Sequence, residues 1–232
     1  MSAPAASAVR TPTEAKPQAS PGRGLWTLAG VLAFAHLVIM FGSFALQRVA
    51  PLDASGDTVR ADHMDWSMTK GFSGGYLTAF SYLLLLLCAA LFARLLRVRS
   101  ELSGWLTTTM LLAVGVVVAV TYAGMADVGA ALYDGHHGAS LETVTALDHA
   151  HWFNVFLATL ALGLFTAATG GATLVSRVLP RWVGWSGVVV GVLCMIAVAG
   201  AGAGLVDTVT LVWTLWFIAL AIAALRRGAR GH

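Results

Sequence analysis

Six stretches of about 20 mostly apolar residues decide what this chain can fold into. They fall at roughly 25–47, 76–97, 105–131, 149–175, 183–204 and 208–225. Each is long enough to cross a hydrocarbon core of ~30 Å as a helix. Lipid offers no water to pair backbone N–H and C=O groups, so each stretch must pair its own by coiling into a helix. Only 11% of residues are charged, against about 25% in a soluble domain. The expected fold is therefore all-α: a polytopic bundle of six transmembrane helices, residues 25–226, with the lipid bilayer as its first partner. The first stretch is too long and starts too late to be a cleaved signal peptide.

Charge placement orients the bundle. Arg94, Arg97 and Arg99 follow the second stretch, Arg177 and Arg181 the fourth, and Arg226, Arg227 and Arg230 the sixth. Arg10, Lys16 and Arg23 precede the first. The remaining connections hold only Arg48, Arg60 and Lys70. Basic residues favour the cytoplasmic side, so both termini are expected there. Residues 1–24 read as a disordered cytoplasmic tail rich in Ala, Pro and Ser, and 227–232 as a short second tail. Basic residues scattered in this way set topology and form no nucleic-acid patch, which excludes that partner.

The outer side carries the opposite inventory. Nine of the eleven carboxylates lie there: Asp53, Asp57, Asp62, Asp65, Asp127, Asp134, Glu142, Asp148 and Asp207. So do five of the seven histidines: His63, His136, His137, His149 and His151. Inward sorting of Lys and Arg explains the acids, but it does not explain the histidines. The outer loops are expected at about 48–75 and 132–148, the first packing over the bundle mouth. Ser140 is placed to cap a short helix ahead of the fourth span, with Glu142 in its first turn.

Polar residues inside spans are costly and are candidates for function. His36, Met40, Ser43 and Gln47 share one face of the first span. Thr78, Ser81 and Tyr82 follow in the second, Thr121, Tyr122 and Asp127 in the third, and His151 and Asn154 in the fourth. All lie in the outer half. A water-accessible cavity and a set of interhelical hydrogen bonds both fit this pattern. Asp148 and Asp207 read as caps at helix starts. Asp127 has no such explanation, because it sits near a helix C-terminus where the dipole disfavours an anion. It must be paired across helices, hydrated or protonated, with His151 or His149 as the expected partner. His149 and His151 are ~200° apart on a helix, so only one of them can face inward. His151 groups with Asn154, and His149 with Trp152 toward the interface.

Other chemistries have weaker signals. His63, His136, His137 and His149, with Met64 and Met68, are imidazole and thioether groups that suit copper or zinc. No spacing among them matches a HExxH or paired CxxC signature. The single pair Cys88 and Cys194 lacks the CxxC of a disulfide-exchange enzyme. Lys16 and Lys70, the only lysines, both fall outside the spans, which excludes a retinal-type Schiff base. GFSGG at 71–75 has the Gly-x-Ser-Gly spacing of rhomboid proteases, but the last two spans carry no histidine. That stretch reads as a loop with Ser73 capping the second span.

Gly187 with Gly191, and Gly200 with Gly204, have small-xxx-small spacing, and Gly163, Gly170 and Gly171 punctuate the fourth span. Such faces let helices approach closely, within the chain or with a partner helix. The stretch from Ser176 and Arg177 through Leu179, Pro180, Arg181 and Trp182 to Gly187 is similar to a family of uncharacterised six-helix bacterial membrane proteins. That resemblance covers the C-terminal third and implies a fold without an activity. The Ala- and Arg-rich, Lys-poor usage points to a high-GC bacterium and its plasma membrane. Three functions fit these residues. The first is a non-enzymatic site of Asp127, His151, Asn154 and His36 that binds or conducts a proton, metal ion or small polar ligand from outside. The second is a membrane-embedded enzyme acting on a lipid or isoprenoid, with Asp127 as general acid and His151 as its partner. The third is an accessory subunit of a membrane complex.

Overall fold

The computed structural model describes residues 22–48 and 50–229. Among these residues are seven α-helices: α1 (Arg23–Phe44), α2 (Gly56–Asp65), α3 (Met68–Leu96), α4 (Glu101–His136), α5 (Leu141–Ser176), α6 (Arg181–Ala197) and α7 (Leu205–Ala229). A 3₁₀ turn, Val198–Ala203, extends α6. All but α2 are long and apolar enough to cross a membrane. The spans expected from sequence are all present. Of the two expected tails, 1–21 and 230–232 lie outside the described residues, while Arg23, Gly24 and 227–229 are helical.

Each long helix packs mainly against two others, in the order α1, α3, α4, α5, α6, α7 and back to α1, with smaller contacts of α5 to α3 and α7. The six therefore close a ring, and short turns make consecutive members antiparallel. Trp213, Phe217, Phe92, Phe165, Leu85, Leu220 and Met110 fill its middle and are almost wholly buried. The outer wall is apolar too. Val38 and Trp105 are each 70% exposed, Leu112 68% and Phe153 64%. In water so much exposed apolar surface would drive association. In a bilayer it is the face that meets acyl chains, so the chain is a multi-pass membrane protein.

Burial in lipid gives no hydrophobic drive for helices to associate, so close packing must do that work. The α5–α6 contact shows how. A Cβ on Gly163 would stand 2.6 Å from the Gly191 carbonyl oxygen, and one on Gly170 2.6 Å from that of Gly184. A Cβ on Gly187 would meet Trp216 of α7 at 2.9 Å. Gly163, Gly170, Gly187 and Gly191 are thus in close contact within the chain, whereas a Cβ on Gly204 would meet nothing within 4 Å. Ser and Thr side chains on the spans mostly bond back to their own helix. Thr107, Thr159, Thr166, Thr169 and Thr214 each donate to a carbonyl four residues earlier, which makes them harmless in lipid.

Both expected outer loops are corrected. The 132–148 connection shrinks to 137–140, because α4 runs on to His136 and α5 starts at Leu141. Ser140 accepts a bond from the Thr143 amide and starts all of α5 rather than a short separate helix. Gly138, at φ +83°, makes the corner, a conformation that costs a side-chain-bearing residue ~1–2 kcal/mol. The 48–75 connection contains α2 and the first turns of α3, so Gly71–Gly75 are helical and Ser73 is no cap. α4 and α5 have 36 residues each, about 54 Å at 1.5 Å per residue. Their ends overhang a ~30 Å hydrocarbon core, and α2 lies against that overhang, as expected of a segment covering the mouth.

Candidate functional site

A cavity of about 380 Å³ opens at the α2 end of the ring. Phe44 and Gln47 near the end of α1, Thr78 and Tyr82 on α3, and Val117, Val120, Thr121, Gly124 and Met125 on α4 line one side. His151, Trp152, Asn154, Val155, Ala158, Thr159 and Leu162 on α5 line the other, with Val206, Asp207 and Thr210 of α7. The wall is mainly apolar with a few convergent polar groups, the usual character of a small-molecule site. It carries no Lys or Arg.

His151 is the best-positioned polar group. It is buried on α5, and its Nδ1–H donates to the Gly124 carbonyl oxygen at 3.0 Å. A carbonyl can only accept, so this bond fixes the tautomer and leaves Nε2 as the acceptor of the neutral ring. The contact needs Gly124, where a Cβ would press on His151 Nδ1 at 3.2 Å and Asn154 Cβ at 3.1 Å. Asn154 lies three residues along the same face of α5. Its Nδ2 donates to Asp127 Oδ2 across the α4–α5 contact at 2.8 Å. Asp127 is half-buried and does not line the cavity. It holds the Asn154 amide so that the other end stays free. The expected direct pairing of Asp127 with a histidine is replaced by this amide bond, although Asp127 and Asp148 both lie near His151.

The polar stripe on α1 is a bonded relay, and of its residues Gln47 reaches the cavity wall. Gln47 Nε2 donates to Thr78 Oγ1 at 2.8 Å, Thr78 to Ser43 Oγ at 2.8 Å, and Ser43 to the Met40 carbonyl at 2.7 Å. His36 lies one layer deeper and is not on the cavity wall. Its Nδ1–H donates to the Ser81 carbonyl at 2.8 Å. Tyr82, Phe217 and Trp213 pack edge-on to its ring at 5.5, 5.8 and 6.3 Å. Tyr82 thus stands between His36 and the cavity, and His36 Nε2 is sealed without a partner.

A second polar group lies beneath α2. His63 Nε2 meets Asp148 Oδ1 at 3.2 Å, the only ion-pair contact among the described residues. Asp148 is not a cap: α5 begins seven residues earlier, and the carboxylate is buried inside the helix. The alternation of apolar and polar letters before residue 149 hid this continuation. Sequence reasoning also missed Gly124, for which no local signal exists. It placed Trp152 toward the interface, whereas that residue lines the cavity and donates from Nε1 to the Ala50 carbonyl at 3.0 Å.

The remaining histidines are dispersed. His136 Nδ1 bonds the Leu132 carbonyl, and His137 bonds that of Tyr133 and stacks on its ring at 4.0 Å. His149 is half-buried one position along from Asp148. Among the described residues, no three His, Cys, Asp or Glu side chains are grouped to hold a metal ion. His63, His136, His137 and His149 are therefore not brought together into one copper or zinc site. Compared with family models, curated proteins and solved structures, the chain matches none.

Proposed function

We propose that this is a plasma-membrane protein of a bacterium that binds a small neutral or cationic amphipathic ligand from outside, without chemistry on it. The carrying observation is the 380 Å³ cavity, which has His151 and Asn154 on one apolar wall, Asp207 at another, and no basic residue. His151 Nε2 would accept a hydrogen bond from the ligand, and the Asn154 carbonyl, its amide held by Asp127, would accept a second. The valine and leucine walls would take the apolar part. The positive-inside rule puts the arginine-bearing ends of α3, α5 and α7 in the cytoplasm, so the α2 end and the cavity mouth face out. Both termini would then be cytoplasmic. The enzyme reading takes Asp127 as its general acid, and Asp127 lies off the cavity wall, turned to Asn154 instead.

Thermal unfolding of the purified protein with a panel of small amphiphiles tests this. Neutral and monocationic members should stabilise it, by about 2.7 kcal/mol at a hundredfold excess over Kd. Carboxylates and phosphates of similar size should not. Asn154→Leu and His151→Phe should abolish the response. Equal stabilisation by anions, or unchanged responses in both variants, would defeat the proposal.

A further inference from the structure

A second cavity, of about 610 Å³, lies at the opposite end, between the α5–α6 turn and the last turns of α7. Arg177, Arg226 and Arg227 line it, together with Trp182, Ala219 and Ile222. The three arginines are exposed, and no carboxylate pairs with any of them among the described residues. Topology alone accounts for basic residues at this end, but not for three of them around one hollow. Arg177 adds a further sign. It ends α5 at φ +55°, the only non-glycine residue with positive φ among those described, at a position that usually takes glycine. Trp182, 59% exposed, stands at the interface level where indoles anchor. Ala219 and Ile222 belong to the lipid-spanning part of α7, and Ile222 is 38% exposed.

We infer that this hollow binds the headgroup of an anionic phospholipid, its phosphate held by Arg177, Arg226 and Arg227. One acyl chain would run along Ala219 and Ile222. Guanidinium groups give phosphate paired, charge-assisted hydrogen bonds, and basic pockets between helices at the cytoplasmic surface suit such headgroups. A free phosphate would share the arginines but gain nothing from the apolar wall, so the membrane lipid is the better occupant.

Native mass spectrometry from mixed micelles of phosphatidylglycerol and phosphatidylcholine tests this, with inorganic phosphate as a separate probe. The full chain should retain phosphatidylglycerol preferentially, and each Arg→Gln change at 177, 226 or 227 should cut retention about fivefold. Arg177→Gly should cut retention while leaving the protein at least as heat-stable, because it removes both a ligand and the left-handed strain. Equal retention of both lipids overturns the proposal. So does an equal loss on changing Arg94 and Arg97, exposed at the same end, to Gln, which would mean general surface charge. Binding of inorganic phosphate that phosphatidylglycerol does not displace would mark an ion site and overturn it too.

Discussion

His63 in the last turn of α2 and Asp148 in the middle of the overhanging part of α5 meet at 3.2 Å, with side chains only 2% and 1% exposed. This contact joins the one short helix to the bundle. Val59, four residues before His63 and so on the same face of α2, is also sealed, packed with Ala50, Ala131 and Val144. Trp66 packs beside the His63 ring at 6.2 Å and ties the following turn to the Leu46 carbonyl. A ten-residue helix is not stable alone, so α2 exists because this small core and the buried pair hold it.

Removing one member of the pair should therefore undock α2. Asp148→Ala leaves His63 Nε2 buried without its acceptor, on a ring whose Nδ1 already has no hydrogen-bond partner. A loss of about 1–3 kcal/mol is expected for leaving a buried polar group unsatisfied. Trypsin should then cut after Arg60 much faster than in the parent chain. Replacing both residues by leucine should recover most of the stability, because an apolar pair needs no partner. Cleavage at Arg60 as slow in Asp148→Ala as in the parent would show that the pair does not hold the helix.

The cavity mouth gives a second expectation. Thr121 lines the cavity, and the native thiols, Cys88 and Cys194, are 1% and 0% exposed. Thr121→Cys should react with a membrane-impermeant maleimide added outside intact cells, while the parent stays unlabelled. Labelling only by a lipid-soluble maleimide would mean that the cavity opens sideways into the bilayer, as an enzyme for lipids requires.

What could be read from the letters, and what could not, follows from the range of the forces. The six spans are legible because bilayer thickness imposes a length on each apolar run. The ends of α4 and α5 are not, because beyond the hydrocarbon a helix may turn polar without ending. That is why Asp148 passes for a cap while Ser140 does the capping for all of α5. His151 and Asn154 were findable as one face of one helix, and both reach the cavity. His36 falls on the same face by spacing along α1, but spacing gives a face and not a depth. The ring of Tyr82 from α3, and Trp213 and Phe217 from α7, close over it. Asp127 stands out in the sequence as an anion near a helix C-terminus, but its partner depends on the register of α4 against α5, which no single-helix pattern contains.

That register can be tested at Gly124. Gly124→Ala should gain up to ~1 kcal/mol of helix propensity. Its Cβ would press on His151 Nδ1 and Asn154 Cβ at 3.2 and 3.1 Å, so α5 must give by a few tenths of an ångström. The two effects should nearly cancel in the unfolding temperature without ligand. The apparent Kd for amphiphiles should still rise by tenfold or more, since a hydrogen-bonded ligand is sensitive to the placement of His151. A titration giving the parent's Kd would show that His151 and Asn154 do not contact the ligand.

The close-contact glycines of the α5–α6 seam should not tolerate a side chain. At Gly170 an added Cβ stands 2.6 Å from the Gly184 oxygen and 2.7 Å from the Val188 nitrogen. Both are backbone atoms of a regular helix, so no rotamer change relieves the contact and the helices must separate. Lipid then fills part of the gap, and the close packing that holds the two helices together is lost. Gly170→Ala should therefore lower the unfolding temperature markedly even though alanine is the better helix former. Gly104→Ala is the control, because its Cβ meets nothing within 4 Å, and it should raise stability by up to ~1 kcal/mol. Opposite signs for the two substitutions in one thermal-unfolding series are the expected outcome. A gain at both positions would mean that α5 and α6 are not in backbone contact at Gly170.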